Sequence, residues 1–409
     1  MADRYPGGLI RKTPPTITPP VDGEGGSASG IWTMDQVAYY IKEGTWPKPV
    51  LPRGLYAAGK NNVGQLGVGD TINRSSPIQV GSLTTWNDIS ANYETSIATT
   101  TDGKLYYWGD GNRGRSGTEV ENPSYVSSPV QIGALTDWDK VLMMPETVAA
   151  IKTDGTLWTW GSNSFGELGT NSDPNTSSPI QVGSDTNWSV IKSGLATTVL
   201  ALKTDGTIWS WGRNQFGDGG LNDDIRRSSP VQIGSGTDWA YISKGAYHSG
   251  AIKTDGSLWM WGQGSSGGLG LNINPSINVS SPVQVGALTN WAKIALGRET
   301  TLAVKTDGTL WAWGNSGYGT LGGNNTTYRS SPVQVGSLTN WKTPGIGLYS
   351  ALVTKTDGTL WTWGANSEGE LARSSAGNTS SPVQVGSETN WDFAVSTQDE
   401  GHSLIRTLG

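Results

Sequence analysis

The sequence of 409 residues predicts an all-β protein: a seven-bladed β-propeller with a split closing blade, preceded by an extended N-terminal arm with one short helix. Three observations carry this. Thr-Asp-Gly occurs six times, with Asp at 102, 154, 205, 255, 307 and 357, so a unit of 50–52 residues recurs along most of the chain. A fixed period of that length belongs to solenoids, propellers and arrays. Apolar and polar residues alternate on both sides of each Asp-Gly, which is strand periodicity around a tight turn. Finally, the two halves of one such hairpin stand at opposite ends of the repeat region.

In chain order, residues 1–53 come first and contain no repeat. The stretch RKTPPTITPPVDGEGGSASG (11–30) is rich in Pro, Gly and Ser and reads as an extended, weakly structured arm. In GIWTMDQVAYYIKEGTWP (30–47), Thr33 with Gln36 fits a capping box, and Trp32 with Val37 fits a hydrophobic staple. Met34, Val37, Ala38 and Ile41 share one helical face, and Gly44 suits the residue just past a helix end. A helix over about 34–43 is therefore expected. So short a helix is not stable alone in water. Its apolar stripe must pack on its own propeller or on another chain. The second option makes Trp32, Met34, Val37, Ile41 and Trp46 the expected partner-docking residues.

Residues 54–409 are read as the propeller. Ser-Ser-Pro occurs seven times, ending at Pro77, Pro129, Pro179, Pro230, Pro282, Pro332 and Pro382. A lone Trp follows nine residues after each, at 86, 138, 188, 239, 291, 341 and 391. One unit gives a strand of PVQV type, a strand such as WSVIKSG (188–194), and the hairpin VLALKTDGTIWSWG (199–212). The Asp-Gly pair suggests a two-residue type I′ turn, whose central residues both need positive φ. Four short strands with Gly-rich turns make a propeller blade. Helical solenoids are excluded, because no unit holds a useful stretch of 3.6-residue period.

Eighteen of the 20 Trp sit at repeat positions, which reads as core. Each such side chain buries about 150–250 Å², worth at most about 4–6 kcal/mol. The competing reading is a platform for carbohydrate or peptide. Tyr56 and Ala58 replace the two hairpin Trp in the first repeat, so looser packing is expected there.

Closure follows from what the ends lack. GLYAAG (54–59) matches the LWTWG strand but has no Thr-Asp-Gly before it, and HSLIRT (402–407) matches the strand before Thr-Asp-Gly but has no LWTWG after it. Pairing Leu55 and Tyr56 with Ser403, Leu404 and Ile405 closes the ring and removes two exposed edges.

Chemistry is sparse. Without Cys there is no disulfide or thiolate chemistry, and two His cannot make a three-His zinc site. His248 and His402 occupy a repeat position that elsewhere holds Thr95, Thr147, Thr198, Thr300 and Ser350, which gives them a structural role. Asp223-Asp224 lacks the spacing of a calcium loop, and no phosphate-binding Gly loop of Walker type is present. No catalytic residue, metal or cofactor is expected. The net charge is −6, with 28 basic residues, so the footprint of a nucleic-acid binder is missing. Residues 1–53 carry six basic and five acidic side chains, so the acidity belongs to the repeats. The first twenty residues hold five prolines and no apolar h-region, and no run approaches 18 apolar residues. Neither a signal peptide nor membrane insertion is expected, and synthesis in a cytoplasm is.

The units GKNNVGQLG (59–67), GSNSFGELG (161–169) and GANSEGELA (364–372), followed by SSPVQV and strands around TDG, resemble the repeats of the regulator of chromosome condensation family. The resemblance implies a seven-bladed propeller with a split closing blade, used as a binding scaffold, with His at the His248 position as a blade-stabilising residue. The founding member of that family exchanges nucleotide on the small GTPase Ran and docks on nucleosomes, and a propeller with related repeats inhibits β-lactamases. Exchange on Ran is not expected here. No wedge-like insertion breaks the 50–52 spacing, and the chain is acidic where chromatin docking wants basic charge. The regular Gly-Gly doublet of kelch repeats is missing, as is the Gly-His and Trp-Asp signature of forty-residue propeller repeats.

The arm's GIWTMDQ…GTWP resembles short Trp-Pro modules in structural and fibre proteins of marine and cyanobacterial phages. That resemblance implies a virion component made in the host cytoplasm: a head decoration, head fibre or tail appendage. Residues 1–53 would bind other virion proteins, and the propeller would be displayed towards a host-surface ligand. The expected function is thus a non-enzymatic structural or interaction protein of a phage particle. The alternatives are a cytoplasmic protein-binding propeller, or a regulator of an enzyme such as a GTPase exchanger or hydrolase inhibitor.

Overall fold

The computed structural model describes residues 53–408, apart from 119–124, 173, 274–276, 375–376 and 398–400, together with four short strands nearer the N-terminus. The chain divides into two units, 1–52 with Gly409, and 53–408. In the first, Arg4–Tyr5 pairs with Gly8–Leu9 and Ile17–Thr18 with Ser27–Ala28, both antiparallel. The helix expected over 34–43, with Trp32, Met34, Val37, Ile41 and Trp46, lies outside the described residues.

The second unit is a ring of seven four-stranded antiparallel sheets. Blade 2 runs from its inner strand Trp138–Met143 through Thr147–Lys152 and Leu157–Gly161 to the outer strand Thr176–Gln181. Blades 1 to 6 begin at Trp86, Trp138, Trp188, Trp239, Trp291 and Trp341. The inner strands together line a central channel. The second strand of blade 3, Thr198–Lys203, is buried at all six positions: its first five residues are apolar or small and pack against neighbouring blades, and Lys203 lies against Trp188 and Trp209. Outer strands such as Arg227–Gln232 are half-buried throughout.

Blade 7 takes its strands from both ends of the ring sequence: Trp391–Ser396, His402–Thr407, Leu55–Gly59 and Arg74–Gln79. The register sets Leu55 opposite Arg406, Tyr56 opposite Ile405, Ala57 opposite Leu404 and Ala58 opposite Ser403.

The hairpin turn differs from the two-residue form expected for Asp-Gly. Gly155 N donates to Lys152 O at 2.9 Å and Lys152 N to Thr156 O at 3.0 Å, enclosing three residues. Only the glycine takes positive φ, at +77°, while Asp154 does not. This is the pattern of a type I turn followed by one left-handed residue. The aspartate caps instead. Asp154 Oδ1 accepts from Thr156 N at 2.9 Å and Thr156 Oγ1 at 2.7 Å, and Thr156 Oγ1 accepts from Trp158 Nε1 at 2.9 Å. The same relay recurs at Asp205, Asp255, Asp307 and Asp357.

The repeat tryptophans form the core and stitch the blades. Trp160, the second of its hairpin, is fully buried, and its Nε1 donates to Arg115 O of blade 1 at 3.1 Å. Trp108, Trp211, Trp261, Trp313 and Trp363 do the same to the carbonyls of Gln65, Glu167, Asp218, Gly268 and Thr320. A glycine faces each indole: a Cβ on Gly169 would lie 2.8 Å from Trp211 Nε1. At the seam the pair changes together. Ala58 replaces the Trp, Ala372 replaces the glycine, and both alanines are buried in one cluster.

Candidate interaction face

The four-stranded meander puts two kinds of loop on each face of the ring. One face carries the connections from inner to second strand and from third to outer strand. There the repeats diverge, and each junction between blades has its own chemistry. Lys60 of blade 7 pairs with Glu94 of blade 1 at 3.3 Å, and Arg113 of blade 1 forms an ion pair with Glu146 of blade 2. Phe165 of blade 2 receives the Arg213 guanidinium 4.5 Å from its ring centre. Phe216 of blade 3 meets Tyr247 of blade 4 edge to face at 5.1 Å. Ser265 and Ser266 donate to the Glu299 carboxylate at 3.3 and 3.0 Å. Tyr318 of blade 5 meets Tyr349 of blade 6 at 4.6 Å, and Arg298 Nη1 donates to Tyr349 Oη at 2.6 Å. Tyr247 also lies within electrostatic reach of Arg298.

An aromatic–arginine strip thus runs across blades 2 to 6. Phe165, Arg213, Phe216, Tyr247, Arg298 and Tyr349 are half-buried, while Tyr318 is 44% exposed. Beside the Tyr318–Tyr349 pair lies a depression of about 330 Å³, which also touches Leu348, Glu368 and Glu370. Tyr, Trp and Arg anchor protein interfaces, because they bring large contact area and polar tips together. Sequence reasoning missed this strip. Each member sits at a loop position where the repeats disagree, and that disagreement was the available signal.

The histidines lie beneath this face, fully buried. His248 Nε2 stands 3.2 Å from Thr301 Oγ1 of the next blade, whose hydroxyl donates to Gly268 O at 2.9 Å. His402 Nε2 stands 2.9 Å from Ser96 Oγ, which donates to Gln65 O at 2.8 Å. Both hydroxyls are already donors, so each imidazole donates to them. The histidines are struts between blades. Burial pushes both pKa values down to about 3, helped by Lys244 near His248 and Lys60 near His402. An imidazole held neutral and sealed from solvent has no route to a substrate proton. Among the described residues, no group of three or more His, Asp or Glu side chains could hold a metal ion.

Comparison with known proteins agrees with this ring. Residues 136–405 match the RCC1-like domain, and residues 54–98 match the Regulator of chromosome condensation (RCC1) repeat. The chain is 31% identical to the Ultraviolet-B receptor UVR8 of Arabidopsis thaliana over 182 residues, covering 43% of this chain and 40% of the receptor. It is 42% identical to the X-linked retinitis pigmentosa GTPase regulator of Mus musculus over 88 residues, covering 21% of this chain and 9% of the regulator. It thus spans two fifths or less of these curated relatives. Among solved structures, human WBSCR16 superposes with a TM-score of 0.76 at 17% identity, covering 87% of this chain and 99% of that one. Prp20p from Saccharomyces cerevisiae superposes with a TM-score of 0.75 at 16% identity, covering 88% and 92%. At such identities the structures speak for the fold alone. Together, the repeat, the seven blades and the seam shared between the two ends of the ring show that this chain belongs to the RCC1-like domain family.

Proposed function

We propose that this chain is a non-enzymatic protein-binding propeller whose partner docks on the face carrying the strip from Phe165 to Tyr349. The observation that carries the reading is the strip itself. Five adjacent blades present aromatic and arginine side chains at successive junctions, whereas the tryptophan stitches behind them repeat almost unchanged. On the opposite face the exposed apolar residues Leu83, Leu135, Leu288 and Leu338 occupy one repeat position, so most stand a blade or more apart. Isolated surface leucines need no partner.

The relatives support this cellular interaction reading better than the virion reading, which rests on the arm alone. Prp20p binds Gsp1p and histones, and yeast RCC1 has been solved bound to Kap60. Those are properties of those proteins. They make a protein partner the natural class of ligand here.

Affinity capture from cells that make the protein, with partners quantified, tests the proposal. The double variant Tyr318→Ala, Tyr349→Ala should lose the partner while keeping its melting temperature. An unchanged partner set in that variant, combined with loss on removing residues 1–52, would transfer the docking role to the arm.

A further inference from the structure

On the face opposite the strip, five blades build the same box. The lysine ending the second strand sits between the inner-strand Trp and the first Trp of the hairpin. Lys152 Nζ lies 5.0 and 4.5 Å from the ring centres of Trp138 and Trp158, and Lys203 Nζ lies 4.4 and 4.0 Å from those of Trp188 and Trp209. Lys253, Lys305 and Lys355 repeat the arrangement, at 3.7–4.9 Å from their indoles. A cation over aromatic faces is attracted by their quadrupoles, and the lysine stem covers apolar surface on the way. In blades 2, 3 and 4 a carboxylate completes the box: Asp137 at 3.1 Å, Asp185 at 2.6 Å and Asp238 at 3.1 Å.

Blade 7 builds the box without its lysine. Trp391 and Tyr56 meet edge to face at 5.3 Å and 86°. The register that sets Lys355 opposite Trp341 sets Thr407 opposite Trp391. The Thr407 hydroxyl is engaged by Gly54 N at 2.8 Å, within the strand pair. Glu388 stands three residues before Trp391, as Asp185 stands before Trp188. The vacated place opens into a groove of about 580 Å³ that touches Tyr56, Trp391, Thr407, Glu388 and Arg373. The equivalent groove in blade 4, with Lys253 in it, is about 410 Å³. Blade 1 also has Thr in place of lysine, at Thr100, but Leu83 stands where blade 7 has Glu388, and the nearby Lys104 pairs with Asp102 at 2.7 Å.

We propose that this closing-blade box binds an alkylammonium group, seated between Tyr56 and Trp391 with Glu388 as its counter-charge. The group belongs to a free amine or to a lysine side chain of another molecule; the chemistry recognised is the same. The five lysine boxes of blades 2 to 6 are the precedent, since each holds that same group. Among the described residues lining the groove, the one opposing charge is Arg373, whose Nη2 donates to Thr379 Oγ1 at 3.1 Å and whose charge burial disfavours. The box lies on the other face from the aromatic–arginine strip, so the two readings fail separately.

The test is calorimetric and ligand-detected NMR titration of the full chain with n-butylammonium, Nα-acetyl-lysine methylamide and, as control, Nα-acetyl-norleucine methylamide. Saturable binding of an ammonium ligand, with none of the norleucine compound, is expected. Binding of both ammonium probes indicates a free-amine site, and binding of the lysine derivative alone indicates a side chain. Tyr56→Leu and Glu388→Gln should each weaken binding about tenfold, and Arg373→Ala should tighten it. Thr407→Lys should abolish it with the propeller still folded by circular dichroism, because it supplies the lysine that five other blades carry. The proposal falls if neither ammonium probe binds, if Thr407→Lys binds as well as the wild type, or if acetate binds through Arg373 instead.

Discussion

Replacing both buried histidines with threonine, as His248→Thr with His402→Thr, should change how stability depends on pH. In the folded chain both imidazoles are held neutral, with pKa values pushed down to about 3 from an ordinary 6.5. Between those values the unfolded chain binds more protons than the folded one. Stability therefore falls as pH drops below about 6.5. The loss is about 1.4 kcal/mol per pH unit for each histidine, hence about 2 kcal/mol each at pH 5. Glu167, whose pKa burial raises, is common to both proteins and cancels in the comparison. The turn aspartates Asp154, Asp205, Asp255, Asp307 and Asp357 have pKa values lowered below 3.8, chiefly by their Thr or Ser hydrogen bonds, so their contribution is lost only in stronger acid. A propeller of this size has an unfolding entropy of about 0.75 kcal/mol/K, so about 4 kcal/mol corresponds to about 5 °C in Tm. Melting curves by circular dichroism from pH 7.5 to 4.5 give the readout. The wild type should lose about 5 °C more than the double variant between pH 7 and pH 5. Parallel curves for the two proteins would refute the neutral-strut account.

Ala58→Trp alone should destabilise the ring by about 1–3 kcal/mol through overpacking against Ala372, and adding Ala372→Gly should recover part of that loss in chemical denaturation. Truncation after Gly401 removes the strand between Trp391–Ser396 and Leu55–Gly59 and should lower the melting temperature of the whole propeller; an unchanged value would contradict closure through that strand. Trp363→Phe leaves the buried Thr320 carbonyl without its indole donor and should cost about 1–3 kcal/mol. Removal of residues 1–52 should leave the propeller folded at its wild-type melting temperature, since its first blade strand starts at Leu55.

The ring was legible because its determinants repeat. Blade number, strand order and the pairing of Leu55–Gly59 with His402–Thr407 all follow from markers at fixed intervals, and the structure places them so. Turn geometry was harder to read. Asp-Gly fits two loop types, and the choice was made by the side-chain bonds between Asp154 and Thr156, which no dipeptide rule contains. The role of the glycine in GELG was likewise hidden, because it answers an indole 42 residues further on, as Gly169 answers Trp211. The strip from Phe165 to Tyr349 is written in the positions where the repeat breaks down, and periodicity discards those positions by construction. The lysine boxes needed both the cross-strand register and the side-chain packing before the gap at Thr407 had any meaning.

The seam also sets a timetable for biosynthesis. Leu55–Gly59 is among the first propeller strands to leave the ribosome, yet its partner His402–Thr407 is among the last. At about 5–20 residues per second, the interval is on the order of tens of seconds. Throughout it, one edge of Leu55–Gly59 is without its partner, and Tyr56 and Ala58 lack the blade 6 and C-terminal residues that later cover them. Blades 1 to 6 can form in order as they emerge, each stitched to its predecessor by an indole bond, but no indole stitches blade 7 to blade 6, because Ala58 stands at that position. The nascent chain therefore spends most of its synthesis as an open arc with a sticky leading strand. Holding that strand apart from other arcs on the same message is a task that falls to chaperones or to the speed of translation itself.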